Sequence, residues 1–184
     1  MKKFVLVPDS FKGTMTSAQV CASMEAGIRR VLPQAQVVSL PVADGGEGSA
    51  EAFLTALGGQ RVVRTVTGPE GRLLESFYAL LPDGTAVIEM AAAAGLPQVT
   101  GEKNPETTTT YGVGELLVHA AHHGARRAVM CMGGSATNDG GCGAASACGV
   151  RFVNGAGESF VPVGGTLGEI ALVDVTGLDP AVAA

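Results

Sequence analysis

The sequence predicts an α/β protein: a mostly parallel sheet with flanking helices, joined to a second α/β part that holds an antiparallel hairpin. Three observations predict it. Apolar runs of strand length alternate with stretches of helical period near both ends of the chain, the pattern of a parallel sheet covered by helices. In the middle, three strand-like runs follow one another, the last two across a tight turn, which reads as antiparallel. Finally, polar, glycine-bearing clusters directly follow the predicted strands, and right-handed crossovers would bring those strand ends to one edge.

Taken in order, KKFVLV (2–7) closes at Pro8-Asp9 and fits a strand buried on both faces. TSAQVCASMEAGIRRVLP (16–33) reads as a helix. Thr16 and Gln19 have capping-box spacing, and Val20, Met24, Ile28 and Val31 form one apolar stripe. Arg29 and Arg30 suit its negative end, and Pro33 stops it. QVVSLPV (36–42) is a second strand, and EGSAEAFLTALGG (47–59) a second helix closed by Gly58-Gly59. RVVRTVT (61–67), LLESFYALL (73–81) and TAVIEM (85–90) are the middle strands, with Pro82-Asp83-Gly84 as the turn. The small, polar stretch 91–110 reads mostly as loop. YGVGELLVHAAHHG (111–124) is a helix, RRAVMCM (126–132) a buried strand, and GCGAASACG (141–149) a short helix of small residues. VRFV (150–153), an Asn154-Gly155 turn and ALVDV (171–175) end the pattern.

Bulk properties exclude several classes. The chain has 184 residues and a net charge of −5, without the lysine or arginine patch that nucleic acid requires. No apolar run approaches the roughly 18 residues of a membrane span, and the apolar core after Lys2-Lys3 is too short for a signal peptide. Cys21, Cys131, Cys142 and Cys148 form no C-x-x-C pair and read as reduced thiols of a cytoplasmic protein. Charged residues make up 16% of the chain, against about 25% in an ordinary domain. Mean hydropathy is +0.31. Such a chain buries an unusual share of itself or exposes surface meant for something else, and an exposed apolar face would invite a homodimer.

The chemistry collects in PDSFKG (8–13), ADGGEG (43–48), MAAAAG (90–95) and GGSATNDGG (133–141). Ligands of open α/β sheets bind outside the carboxyl ends of the strands. Asp9, Ser10, Lys12, Asp44, Glu47, Ser135, Asn138 and Asp139 are therefore expected on one edge. Each cluster is also ordinary turn chemistry; their coincidence carries the functional reading. Gly133, Gly134, Gly140 and Gly141 would let backbone N–H groups approach an anion at the start of the next helix. The carboxylates offer hard oxygens suited to Mg2+, and Lys12 the cation that phosphoryl transfer needs. No G-x-x-x-x-G-K-[ST] loop is present. Weaker signals are His119 and His123 at i, i+4 spacing without a metalloprotease glutamate, and Thr107–Thr110, read as a helix N-cap with spare hydroxyls. Ser135 lacks the flanks of a hydrolase elbow.

These blocks, with VTGPEG (66–71), IEMAAAAGL (88–96) and TTTTYGVGEL (107–116), resemble the glycerate kinase family in order and spacing. The resemblance runs from Val5 to about Pro180. It implies an ATP- and Mg2+-dependent kinase that phosphorylates D-glycerate, typically to 2-phosphoglycerate. It also implies two α/β parts with the active site between them. These are a Rossmann- or flavodoxin-like part over 1–65 and a second, incomplete domain over 66–184. Family members are about twice as long, so the chain reads as their N-terminal half. Carried onto this sequence, the family blocks imply Lys12, Asp44 and Asp139 as catalytic, with Asp44 and Asp139 also at the metal. They imply Asp9, Ser10, Glu47, Glu89, Ser135 and Asn138 at the substrate, and Gly133, Gly134, Gly140 and Gly141 at phosphate. Two other functions remain open at this point: a Mg2+-dependent phosphatase of small phosphorylated acids, and a fragment that binds substrate without catalysis.

Overall fold

The computed structural model describes residues 2–184, and its strands sort into three sheets. β1 (Lys3–Leu6), α1 (Ser17–Val31) and β2 (Gln36–Ser39) form a βαβ unit whose two strands pair in parallel. α1 starts as its sequence predicts. The Thr16 hydroxyl accepts the Gln19 N–H at 3.2 Å, and the Gln19 side chain accepts the Thr16 N–H at 2.8 Å.

α2 (Ser49–Leu57) leads into the main sheet. That sheet runs in the order β3 (Gln60–Thr67), β4 (Leu73–Leu80), β5 (Thr85–Glu89) and β6 (Arg127–Cys131). β3, β4 and β5 are antiparallel neighbours, while β6 joins β5 in parallel. Between them in sequence lie α3 (Met90–Ala94) and α4 (Tyr111–His122). The chain closes with α5 (Cys142–Ala147), β7 (Arg151–Asn154), β8 (Ser159–Phe160), β9 (Ile170–Asp174) and α6 (Pro180–Ala183). β7, β8 and β9 form a wholly antiparallel third sheet. The α/β class is as the sequence predicts; the parallel pairs are β1–β2 and β5–β6, within an otherwise antiparallel set.

The main sheet carries the core on both faces. Tyr78 and Ile88 pack with Val113 and Leu116 of α4 on one side. Ala79 and Val87 pack with Ala50 and the α2 side chains Phe53 and Leu54 on the other. β5 is buried at all five positions, as a strand covered on both faces must be. Among the described residues no helix is long and apolar enough to cross a membrane.

Several expectations need correction. The first strand is covered on one face only. Leu6 faces the interior, whereas Val5 and Val7 are 54% and 53% exposed, because the two-stranded sheet has α1 on a single side. The α1 stripe shifts for the same reason: Ser17, Val20 and Cys21 are buried, while Met24 and Val31 are exposed. β6 is an edge strand whose first three residues are exposed, not the buried strand predicted. The stretch 91–110 includes the rest of α3 and a 3-10 turn at Leu96–Gln98. β3 crosses the boundary expected at 65/66 without a break, paired with β4 on both sides of it.

α4 and α5 approach so closely that Gly114 has no room for a side chain; an added Cβ would run into the Ala144 carbonyl. Gly114→Ala should therefore cost about 1–3 kcal/mol through overpacking. Gly27→Ala in α1, where the added carbon meets nothing within 4 Å, should gain about 0.5–1 kcal/mol. Urea unfolding of the two variants measures both effects, and equal outcomes would refute the packing argument.

Candidate active site

Backbone contacts bring the four loop clusters to one edge. Ser17 joins the first two: its hydroxyl donates to the Pro8 carbonyl at 2.6 Å and accepts the Val42 N–H at 3.0 Å. Lys12 Nζ then lies 3.9 Å from Asp44 Oδ2, with both side chains exposed. The second and fourth clusters dock glycine to glycine. The Gly133 N–H donates to the Gly45 carbonyl at 2.9 Å, and a Cβ on Gly133 would fall 2.8 Å from the Gly46 Cα. The third cluster pairs with the fourth through a bridge between Gly95 and Ser135 and the Ala136 N–H to Ala94 carbonyl bond of 2.9 Å.

Asp9, Lys12, Asp44, Glu47 and Asn138 are exposed on these loops, and Ser10 and Ser135 are half-buried. Asp9 Oδ1 accepts the Ser10 N–H at 2.7 Å, and the Ser135 hydroxyl lies 2.7 Å from that of Thr137. A cavity of about 380 Å³ opens beside Asp44, walled by Ser49, Phe53, Met130 and Met132.

Two other acids expected at the ligand have a different environment. Asp139 is 1% exposed and encircled by donors. Its Oδ2 accepts from the Thr110 N–H and hydroxyl, both at 2.8 Å, and from the Gly143 N–H at 3.1 Å. Its Oδ1 accepts the Gly141 N–H at 3.0 Å. The carboxylate thus fills the start of α5 and ties it to the start of α4, with four hydrogen bonds made inside the protein. Glu89 is 3% exposed. Its Oε1 accepts the Ala50 N–H at 2.6 Å and its Oε2 the Gly48 N–H at 3.3 Å. Burial pushes the Glu89 carboxyl above its ordinary range; these two N–H groups pull it down, and the charges of Glu47 and Glu51 add to the rise.

The expected phosphate cradle changes accordingly. The Gly133 and Gly141 amides are already donated to Gly45 and Asp139. An internal carboxylate stands where an anion at the α5 N-terminus would stand. Gly134 and Gly140 remain exposed on the loop.

Sequence reasoning missed Ser17, and read Thr107–Thr110 as a helix N-cap, a role that the Thr110 side chain does not play. The Thr110 hydroxyl accepts from the Ala144 N–H at 2.9 Å, so it serves α5 rather than capping its own helix. The Thr108 hydroxyl donates to the Ala136 carbonyl at 2.8 Å. Within Thr107–Thr110 only Thr108 and Thr110 are buried; four identical residues carry no sign of that alternation, nor of partners about thirty positions away. The histidines have structural partners. His119 Nδ1 lies 3.0 Å from the Tyr78 hydroxyl, and burial lowers the His119 pKa. His122 Nε2 lies 2.8 Å from Asp179 Oδ2. No group of three His, Cys, Asp or Glu side chains among the described residues could hold a metal unaided.

An edge of this kind is where open α/β proteins commonly hold their ligands. More narrowly, the chain belongs to the glycerate kinase family, whose sequence model matches residues 4–184. It is 45% identical to a glycerate kinase of Bacillus subtilis (strain 168) over 96% of this chain and 47% of that protein. It is 43% identical to the glycerate 2-kinase of Escherichia coli (strain K12) over 97% of this chain and 47% of that protein. A crystal structure from Salmonella typhimurium LT2, of a protein assigned as glycerate kinase 2, superposes with a TM-score of 0.79 at 42% identity, covering 97% of this chain and 48% of that one. The chain spans about half the length of the curated relatives it matches.

Asp139→Asn turns one acceptor into a donor that faces buried N–H groups. It should lower stability by about 1.5–3 kcal/mol, the scale of a hydrogen bond to a charged group. Asp9→Asn, at an exposed turn, should stay within about 0.5 kcal/mol. Thermal denaturation compares them; similar losses would contradict the assignment of Asp139 to the helix starts.

Proposed function

We propose that the protein phosphorylates D-glycerate with ATP, this chain forming the N-terminal part of the enzyme. The observation that carries the reading is the meeting of Lys12 with Asp44, beside a glycine-to-glycine dock of two loops, in a chain of the glycerate kinase family. Relatives named glycerate kinase and glycerate 2-kinase supply the substrate.

The residues present fit Mg2+ in the way kinases use it. Asp44 and Glu47 are exposed hard-oxygen donors on one short loop, with no complete protein cage around them. Mg2+ commonly binds through one or two carboxylates plus substrate phosphates and retains several waters. When bound, it neutralises charge on the phosphate oxygens. In this reading Asp44, 3.9 Å from Lys12, takes the proton of the substrate hydroxyl, and Glu47 serves the metal. Lys12 meets the negative charge that develops on the transferring phosphoryl group. Asp9 and Ser10 on the first loop and Ser135 and Asn138 on the fourth are the polar side chains assigned to orient glycerate. Gly134 and Gly140, exposed on the loop, are the glycines left to approach the phosphate. Asp139 acts at a distance, by fixing the loop.

A coupled ADP-release assay with D-glycerate, ATP and Mg2+, run beside calorimetry with D-glycerate, tests the reading. Glycerate-dependent ADP release is expected, cut roughly 100-fold or more in Lys12→Ala. Phosphate release from phosphoglycerate without nucleotide would make the protein a phosphatase. Glycerate binding with no ADP would make this chain a binding unit, and undiminished turnover in Lys12→Ala would remove that residue from the chemistry.

A further inference from the structure

The loop that carries Asp44 and Glu47 has little of its own to hold it still. Two of its six residues (43–48), Gly45 and Gly48, sit in the left-handed region at φ +89° and +88°, where glycine adds no steric restraint. Within the loop, the Asp44 carboxylate accepts the Gly46 N–H at 3.1 Å, and the Ser49 hydroxyl donates to the Gly46 carbonyl at 2.8 Å. Its middle is pinned from outside by the Gly133 N–H on the Gly45 carbonyl. Its exit is pinned by Glu89.

Glu89 is well placed for that task. It ends β5, which is buried at every position and so belongs to the most rigid part of the fold. From there both carboxylate oxygens reach forward to the N–H groups of Gly48 and Ala50. α2 has no cap of its own, because its N-cap residue is Gly48. A serine or asparagine cap would satisfy the helix without burying a charge, but the left-handed backbone at residue 48 disfavours a side chain there. A cap delivered from β5 does more than end a helix: it fastens the acidic loop to the core of the sheet.

We propose that Glu89 is a positioning residue, which holds the 43–48 loop so that Asp44 and Glu47 present their carboxylates to the ligand in one arrangement. The assignment rests on the kinase reading of this edge. Glu89 touches neither substrate nor metal and acts through Gly48 and Ala50.

Glu89→Gln tests it in the full 184-residue chain. The substitution preserves size, keeps one acceptor oxygen and sets an NH2 group against a backbone N–H. NMR amide exchange reports the loop, and calorimetry with D-glycerate in the presence of Mg2+ reports the site. In the variant, the Gly48 and Ala50 amides should lose protection roughly 10-fold, the size of a lost cap. The Thr110 and Gly143 amides, held by Asp139, should keep theirs, which shows that the fold is intact. Glycerate affinity should fall roughly 10-fold or more with them. If Glu89→Gln fails to fold, Glu89→Asp, which keeps the charge and removes one methylene, gives the same readouts. Unchanged glycerate affinity in the variant overturns the assignment and leaves the kinase reading standing. Lost affinity with both amides still protected also overturns it, because Glu89 would then contact the ligand directly. A wild-type chain that binds no glycerate also overturns the assignment, because the loop then has no ligand to present its carboxylates to, and leaves the kinase reading to the ADP-release assay.

Discussion

Every helix that begins inside a protein brings N–H groups that lack a partner within the helix, and this fold answers those at the starts of α2, α4 and α5 with two buried carboxylates. Asp139 serves α5 and the start of α4 at once, and Glu89 serves α2 from the end of β5. The bonds of Asp139 to Thr110 and of Glu89 to α2 cross gaps of twenty-nine to forty-one positions in sequence, while those of Asp139 to Gly141 and Gly143 are local. A carboxylate is a strong answer, since bonds to a charged acceptor are shorter and stronger than neutral ones. It is also a demanding one, since the charge survives burial only with its donors in place. The loops at the sheet edge inherit their shape from these two residues.

That constraint divides the acidic residues into two kinds. Asp139 and Glu89 are buried and surrounded by N–H and O–H donors. Asp9, Asp44 and Glu47 are exposed and keep free oxygens. A glycine-rich loop ahead of a helix is commonly an anion site. Here the anion at the α5 start is a side chain of the loop itself. In the proposed kinase reading, chemistry toward an external ligand falls to Lys12, the exposed acids and the remaining glycines.

Close backbone approach is the second condition of the site. Gly133 against Gly46, and Gly114 against Ala144, leave no space for Cβ atoms. The first contact brings together two loops from different sheets; the second lets α4 and α5 share Thr110 and Asp139 as a common junction. Elsewhere the fold is open. Val5, Val7, Phe11, Leu40 and Met132 all expose apolar side chains near this edge, in keeping with the low charge and positive hydropathy of the chain.

The sequence by itself determined the α/β class, the α1 capping box, the antiparallel turn at Pro82-Asp83-Gly84 and the strand-following positions of the polar clusters. These follow from local rules: side-chain period, cap spacing and turn residues act within a few positions of the chain. It also held the family blocks, which extend over nearly its whole length. Only the tertiary structure decided which carboxylates face water and which disappear beneath helix starts, and that Val5 and β6 lie exposed rather than buried. Asp44 and Asp139 read alike in one dimension, each a short acid among glycines. Burial and hydrogen-bond partnership arise between segments distant in sequence, and a local pattern carries no record of which donors will arrive from the other side.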